Sequence, residues 1–227
     1  MGAQESGETD FLAMLEPEDA AELRARGGTR RFRAGQALMH EGQVGEELMI
    51  LLAGRAKVTC TTAEGKEIVL AFRQPGDLLG ELAVLDDRPR SSSVVALEPA
   101  EALVLAASEF RAAVESRPRI ALELLRMLSR RFRDADRKRI EFAASQTLGR
   151  VAGRLVELAE RYGEPTERGV IIDLPISQEE LAGWTGSSRE AVAKALHTLR
   201  ELGLVITERR RIIVCDLDGL TRQAASG

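Results

Sequence analysis

Only two cysteines, Cys60 and Cys215, occur in 227 residues. They are too few and too distant for a zinc or iron–sulfur centre, and such sparing use suits a reducing compartment. No run of about 18 apolar residues occurs, so no membrane-spanning helix is expected. The opening stretch Met1–Asp10 is small, polar and acidic, without an apolar core. It does not read as a secretion signal, and the expected location is the cytoplasm. A large excess of one charge is missing too. The balance is 32 Lys and Arg against 36 Asp and Glu, a net −4. That argues mildly against a nonspecific nucleic-acid coat protein but leaves room for a local basic surface. There is no nucleophile elbow, P-loop or metal-ligand cluster, so no enzyme is expected. What remains is ordinary globular composition, 44% apolar and 30% charged, long enough for one large domain or two modest ones.

Three textures follow one another. From Thr29 to about Glu109, glycines recur at turn-like intervals (Gly35, Gly42, Gly45, Gly54, Gly65, Gly76, Gly80). Between them lie short runs such as Leu48–Leu52, Ala56–Cys60 and Ile68–Phe72, the pattern of an antiparallel β-sandwich or barrel. A short helix, Pro17–Arg26, is expected before it, a hairpin tip at Ala63–Lys66, and a functional loop at Asp87–Ser93. The second texture, Pro118–Phe142, has no glycine and no further proline. It reads as one long helix with a stripe of Leu125, Leu128, Phe132, Ala135 and Ile140. That stripe fits a surface helix packed on the sandwich and a dimerisation seam equally well. In the third texture, Leu148–Tyr162 reads as a helix and Gly169–Leu174 as a strand. Two helices and a β-hairpin follow, and Arg222–Gly227 reads as a fraying tail.

The stretch Ile176–Leu196 carries the clearest chemistry. Ser177 and Glu180 have capping-box spacing, and Leu181 and Ala182 point inward. Gly186 permits a sharp turn, and Ser187 or Ser188 caps a second helix with Val192, Ala195, Leu196 and Leu199 on its buried face. Arg189, Glu190 and Lys194 then stand on the open face near the helix start, the part that enters the major groove in a helix-turn-helix. Arg can clasp guanine, Glu can accept from cytosine, and Ser187 and Ser188 suit phosphate. The following hairpin, with Arg209, Arg210 and Arg211 at its tip, reads either as a phosphate-contacting wing or as solvated charge.

In the β region, the segment from Gly76 to Val95 stands apart. Gly80 lets a ligand approach the backbone, and Gly80-Glu81-Leu82-Ala83 reads as a short helical turn. Arg90 can pair with a phosphate, Ser91 can donate to it, and Glu81 can accept from a sugar hydroxyl. A plain salt bridge between Glu81 and Arg90 is the bland alternative.

Gly80-Glu81-Leu82 with Arg90-Ser91, Gly149-Arg150-Val151-Ala152 and Arg189-Glu190-Ala191-Val192-Ala193-Lys194 together resemble the Crp/Fnr family of bacterial transcription regulators over nearly the whole chain. The resemblance implies an α+β chain. Residues 1–117 would be a jelly-roll-like β-roll of the cyclic-nucleotide-binding type, 118–145 a long dimerisation helix and hinge, and 146–227 a winged helix-turn-helix. It implies cAMP held by Gly80, Glu81, Leu82, Arg90 and Ser91, with another cyclic nucleotide or no effector as alternatives. It also implies a homodimer on palindromic double-stranded DNA, contacted by Ser187, Ser188, Arg189, Glu190, Lys194, Arg209 and Arg210. RNA polymerase is the expected protein partner. The family's adenine-touching hydroxyl pair falls, by gapless counting, on Ala135 and Asp136, and neither is a hydroxyl residue. Lys194 stands where Arg is frequent. A different sensor chemistry, or a cyclic-nucleotide-binding subunit acting on a protein partner, are the competing readings. Sorted by position, the helix start and wing are basic and the acidic excess lies elsewhere, so a low net charge reads as restraint on nonspecific binding.

Overall fold

The computed structural model describes residues 10–63, 65, 67–144, 146–174, 176–208 and 211–226, apart from the side chains of residues 138, 141–144 and 226. The chain forms two compact units, residues 1–132 and 133–227.

The first unit runs α1 (Pro17–Arg26), β1 (Gly28–Phe32), β2 (Ala37–Met39), β3 (Glu47–Ala53), β4 (Ala56–Thr61), β5 (Glu67–Arg73), β6 (Leu78–Leu79), α2 (Glu81–Asp86), β7 (Ser93–Ala96), β8 (Ala100–Ala106), α3 (Ala107–Ser116) and α4 (Pro118–Ala144), the last contributing to both units. The strands form two antiparallel four-stranded sheets, β1-β8-β3-β6 and β2-β7-β4-β5. β3 shows why its sequence reads as unbroken apolar. Leu48 and Ile50 pack with Leu23, Phe110, Ile120 and Leu124 of the helices, while Met49 and Leu51 point the other way. There they meet Val58, Val94 and Ala96 of the second sheet, so both faces of the strand are covered. Each such side chain contributes about 1.5–3 kcal/mol on burial. The expected strand runs Leu48–Leu52, Ala56–Cys60 and Ile68–Phe72 all fall within β3, β4 and β5. Gly54 turns β3 into β4 at φ 78°, where a Cβ would sit 2.5 Å from the Pro99 carbonyl oxygen.

One boundary differs from expectation. The glycine-punctuated β texture extends in sequence to about Glu109, yet α3 starts at Ala107. No glycine or proline separates strand from helix. Burial of Phe110 and Ala113, one helical turn apart, decides the matter.

The second unit contains the end of α4 and then α5 (Thr147–Tyr162), β9 (Gly163–Thr166), β10 (Gly169–Ile172), α6 (Gln178–Thr185), α7 (Arg189–Glu201), β11 (Val205–Glu208), β12 (Arg211–Val214) and α8 (Leu217–Ser226). Its antiparallel sheet is ordered β11-β12-β10-β9. α5 buries Val151, Ala152, Leu155, Leu158 and Ala159. β9 is an unforeseen edge strand, tolerating Pro165 where a central strand would not. The tail expected at Arg222–Gly227 is corrected over its described part, because α8 extends to Ser226. Asp216 accepts from the Gly219 amide at 2.8 Å, Leu220 is fully buried, and the helix packs on α5 where Gly153 leaves room beside Ala224.

Candidate functional site

In the first unit the site grows from a glycine. Gly80 ends β6 at φ 77° and serves as N-cap of α2. A Cβ there would lie 2.7 Å from Met39 Sδ and closer still to Arg90 Nη1. The missing side chain is what lets the Arg90 guanidinium lie against the backbone at the start of α2. Glu81, the first residue of α2, is buried. Its partner is Arg131 of α4, whose Nη1 donates to Glu81 Oε1 at 2.8 Å and whose Nη2 donates to the Leu78 carbonyl at 2.8 Å. The bland alternative, a Glu81–Arg90 salt bridge, is therefore not what forms.

Arg90 sits at the end of an irregular stretch, Asp87–Arg90, that follows α2. Its amide donates to the Gln43 carbonyl at 2.8 Å, and its carbonyl accepts from the Gly42 amide at 2.9 Å. Only 7% of Arg90 is exposed. Its side chain donates to the Glu47 backbone carbonyl at 2.6 Å and to Met39 Sδ at 3.1 Å, both uncharged acceptors. Burial pulls the guanidinium pKa below its ordinary value, while the nearby carboxylates of Glu47 and Glu81 pull it back. Beside it opens a cavity of about 630 Å³, lined by Leu38, Met39, Gln43, Val44, Glu46, Glu47, Arg90 and Ala106. That volume suits a small organic ligand. Gly80, Glu81 and Arg90 thus gather at one place. Leu82 is exposed on α2, and Ser91 is exposed just beyond Arg90. Ala135 and Asp136 lie on the part of α4 that belongs to the second unit, with Asp136 3.9 Å from Arg139.

Sequence reasoning missed Arg131, Met39 and the Glu47 carbonyl. The only signal for Arg131 was an arginine on a helix already marked as important.

In the second unit, the turn between α6 and α7 is built as its residues require. Ser177 caps α6 in a full capping box with Glu180, and Gly186 takes φ 57° at its end. Ser188, rather than Ser187, is the N-cap of α7, accepting from the Ala191 amide at 3.2 Å. Val192, Ala195, Leu196 and Leu199 are buried. Ser188, Arg189, Glu190 and Lys194 are exposed along the first turns. Glu190 has its carboxyl pKa held below the usual range by its own backbone amide, then by the Ser188 hydroxyl and by neighbouring Arg189. Ser187 has another role: its hydroxyl lies 3.2 Å from Arg150 Nη2 and 3.3 Å from Thr147 Oγ1. Arg150 also donates to the Thr185 carbonyl at 2.9 Å. Arg209 and Arg210 lie outside the described residues. Arg211 pairs with Asp173 at 3.0 Å, so part of the wing's basic charge is matched within the protein.

Residues 29–117 match the cyclic nucleotide-binding domain model, and 149–223 match the Crp-like helix-turn-helix domain model. Over 210 residues the chain is 31% identical to the CRP-like cAMP-activated global transcriptional regulator of Mycobacterium tuberculosis, spanning 92% of this chain and 94% of that protein. It is 33% identical over 176 residues to the Cyclic AMP receptor protein of Thermus thermophilus, 78% of each chain. A CRP-family transcriptional regulator of known structure, also from Thermus thermophilus, matches with TM-score 0.74 at 28% identity, over 87% of this chain and 97% of that one.

Proposed function

The chain belongs to the Crp/Fnr family of transcription regulators, and from that premise we propose that it is a homodimeric, cAMP-controlled reader of palindromic operators in double-stranded DNA. A DNA-binding transcription regulator with a cyclic-nucleotide-binding domain follows from the family itself. The effector, the residues that hold it, the oligomer and the partners are the further steps.

One observation carries the effector: Arg90 is a buried cation hydrogen-bonded to a thioether and a carbonyl rather than to a carboxylate. A cyclic phosphate would replace these neutral acceptors with a charge-assisted pair. Ser91 would add a donor, Gly80 and Leu82 would present backbone, and Glu81 would accept from the ribose hydroxyl. Residues 1–117 would form the sensor and 146–227 the DNA-reading unit. Residues 118–145 would be the dimer helix and hinge, their exposed apolar side chains Leu125, Phe132 and Ile140 supplying the seam. Arg189, Glu190 and Lys194 would read base edges, and Ser187, Ser188, Arg209 and Arg210 would meet phosphates. RNA polymerase would be the protein partner and the cytoplasm the location.

A second reading keeps the DNA role with a non-cyclic-nucleotide effector or no effector. The methyl of Ala135 and the carboxylate of Asp136, where a hydroxyl pair would touch adenine, favour it. Calorimetry on the full chain with cAMP and cGMP separates the two. The proposal expects heat with cAMP that Arg90→Ala abolishes, whereas no heat from either nucleotide at millimolar concentration overturns it. Unchanged operator binding by Arg189→Ala would instead favour a subunit acting on a protein partner.

A further inference from the structure

The stretch that delivers Arg90 is pinned at two ends. At its far end the Arg90 backbone bonds to Gln43 and Gly42. At its near end lies Asp87, the C-cap of α2, with φ 55° and ψ 27°. Among the described residues it is the only non-glycine with positive φ. Asp tolerates that conformation better than most side chains but less readily than glycine, so a partner that grips its carboxylate favours the turn. Only Arg88 and Pro89 separate Asp87 from Arg90, and the proline ring fixes its own φ. The backbone direction chosen at Asp87 is therefore passed to Arg90 with little slack.

Arg111 of α3 is the side chain that holds this corner. Its Nη2 donates to the Val84 carbonyl, in the last turn of α2, at 2.7 Å, and to Asp87 Oδ1. A cation thus satisfies an end carbonyl of the helix and grips the carboxylate of the residue that must turn left-handed. An exposed Arg–Asp pair alone contributes little. Here the same guanidinium joins helix end to turn.

We infer that Arg111 is a positioning residue for the anion site: by capping α2 and holding Asp87 in its left-handed turn, it aims the segment that presents Arg90. The ligand half of the test rests on the cAMP reading given above, and the hydrogen-exchange half does not.

Arg111→Ala, Asp87→Gly and their combination, all in the full chain, form the experiment, with Arg111→Lys as the conservative variant. Glycine adopts positive φ freely, so Asp87→Gly removes the need for a clamp. Arg111→Ala is expected to speed amide exchange at residues 84–91 and to leave β3 and β8 protected. It should weaken cAMP binding about tenfold. Arg111→Lys should recover part of both effects. In the Asp87→Gly background, Arg111→Ala should change affinity by less than about twofold. Exchange that rises across the whole first unit, or not at all, overturns the inference. So does an undiminished effect of Arg111→Ala in the glycine background. If the parent chain gives no heat with cAMP, the effector reading fails, and local exchange with its glycine suppression still decides the role of Arg111.

Discussion

Arg131 Nη1 and Glu81 Oε1 lie 2.8 Å apart, joining α4 to the first residue of α2 across 50 positions of sequence. Glu81 is almost fully enclosed, with 7% of its side chain exposed, and Arg131 also lies 3.5 Å from Asp77. A ligand hydroxyl that donated to Glu81, as proposed, would have to share that carboxylate with Arg131 of α4. Removing the arginine leaves an enclosed carboxylate without its cation. Arg131→Ala is expected to destabilise the first unit by about 2–4 kcal/mol, and Arg131→Lys by less. Urea unfolding followed by a probe in the first unit measures it. A change below about 0.5 kcal/mol would show that the pair is dispensable.

Gly80→Ala adds one methyl group where Met39 and Arg90 already stand, at a backbone angle alanine disfavours. Folding should survive at a cost of about 1–2 kcal/mol. The Arg90 guanidinium must move, so nucleotide binding is expected to fall by at least about tenfold. Thermal unfolding and calorimetry on the same sample separate the two losses.

Helix capping makes a clean pair of tests. Ser177→Ala and Ser188→Ala each remove a side-chain acceptor from a helix start and should each cost about 1 kcal/mol in the second unit. Ser188→Ala also strips a hydroxyl from beside Glu190, so it should weaken operator binding more than Ser177→Ala. Equal losses of binding would argue that stability alone is being read.

Glu190 gives a pH prediction. Its carboxyl pKa is depressed in the folded chain, so its support for the helix start is complete above the ordinary carboxylate pKa. That support is lost only as pH falls through the lower native value. If Glu190 reads a base edge as proposed, discrimination at that base pair should be flat from about pH 7.5 down to about pH 5. Glu190→Gln should lose about tenfold of discrimination throughout that range. Competition binding with single-base operator variants is the measurement, and a steep decline above about pH 5 would contradict it.

The two thiols should react unequally. Burial, then Glu41, raises the Cys60 pKa, whereas Cys215 is exposed. Alkylation at neutral pH followed by mass spectrometry should mark Cys215 first.

What could be read in advance was what is written locally. The capping box at Ser177, the glycine turn at Gly186 and the buried stripe of α7 each lie within one or two helical turns, and the structure builds all three as expected. So were the strand cores around Met49 and Val58, whose apolar runs are bounded by glycine turns. Three elements were missed. α3 follows β8 with no glycine or proline to mark the change, and β9 and α8 hide behind poor local propensity, Pro165 in the strand and Gly219 in the first turn of the helix. Glu81 and Arg90 were legible as residues of the right chemistry, but their partners were not. Arg131, Met39 and Arg111 arrive from 50, 51 and 24 positions away from Glu81, Arg90 and Asp87, and no local pattern encodes such meetings.

The hydrogen bonds of Arg150 to the turn before α7 join two parts of the second unit that are distant in sequence. This residue sits in the first turn of α5, yet it holds the Thr185 carbonyl and the Ser187 hydroxyl, the two ends of the corner that leads into α7. One guanidinium thus ties the start of α5 to both ends of the turn before α7, beside the direct packing of α5 on α7, so the orientation of that turn is set by α5 as well as by its own capping residues.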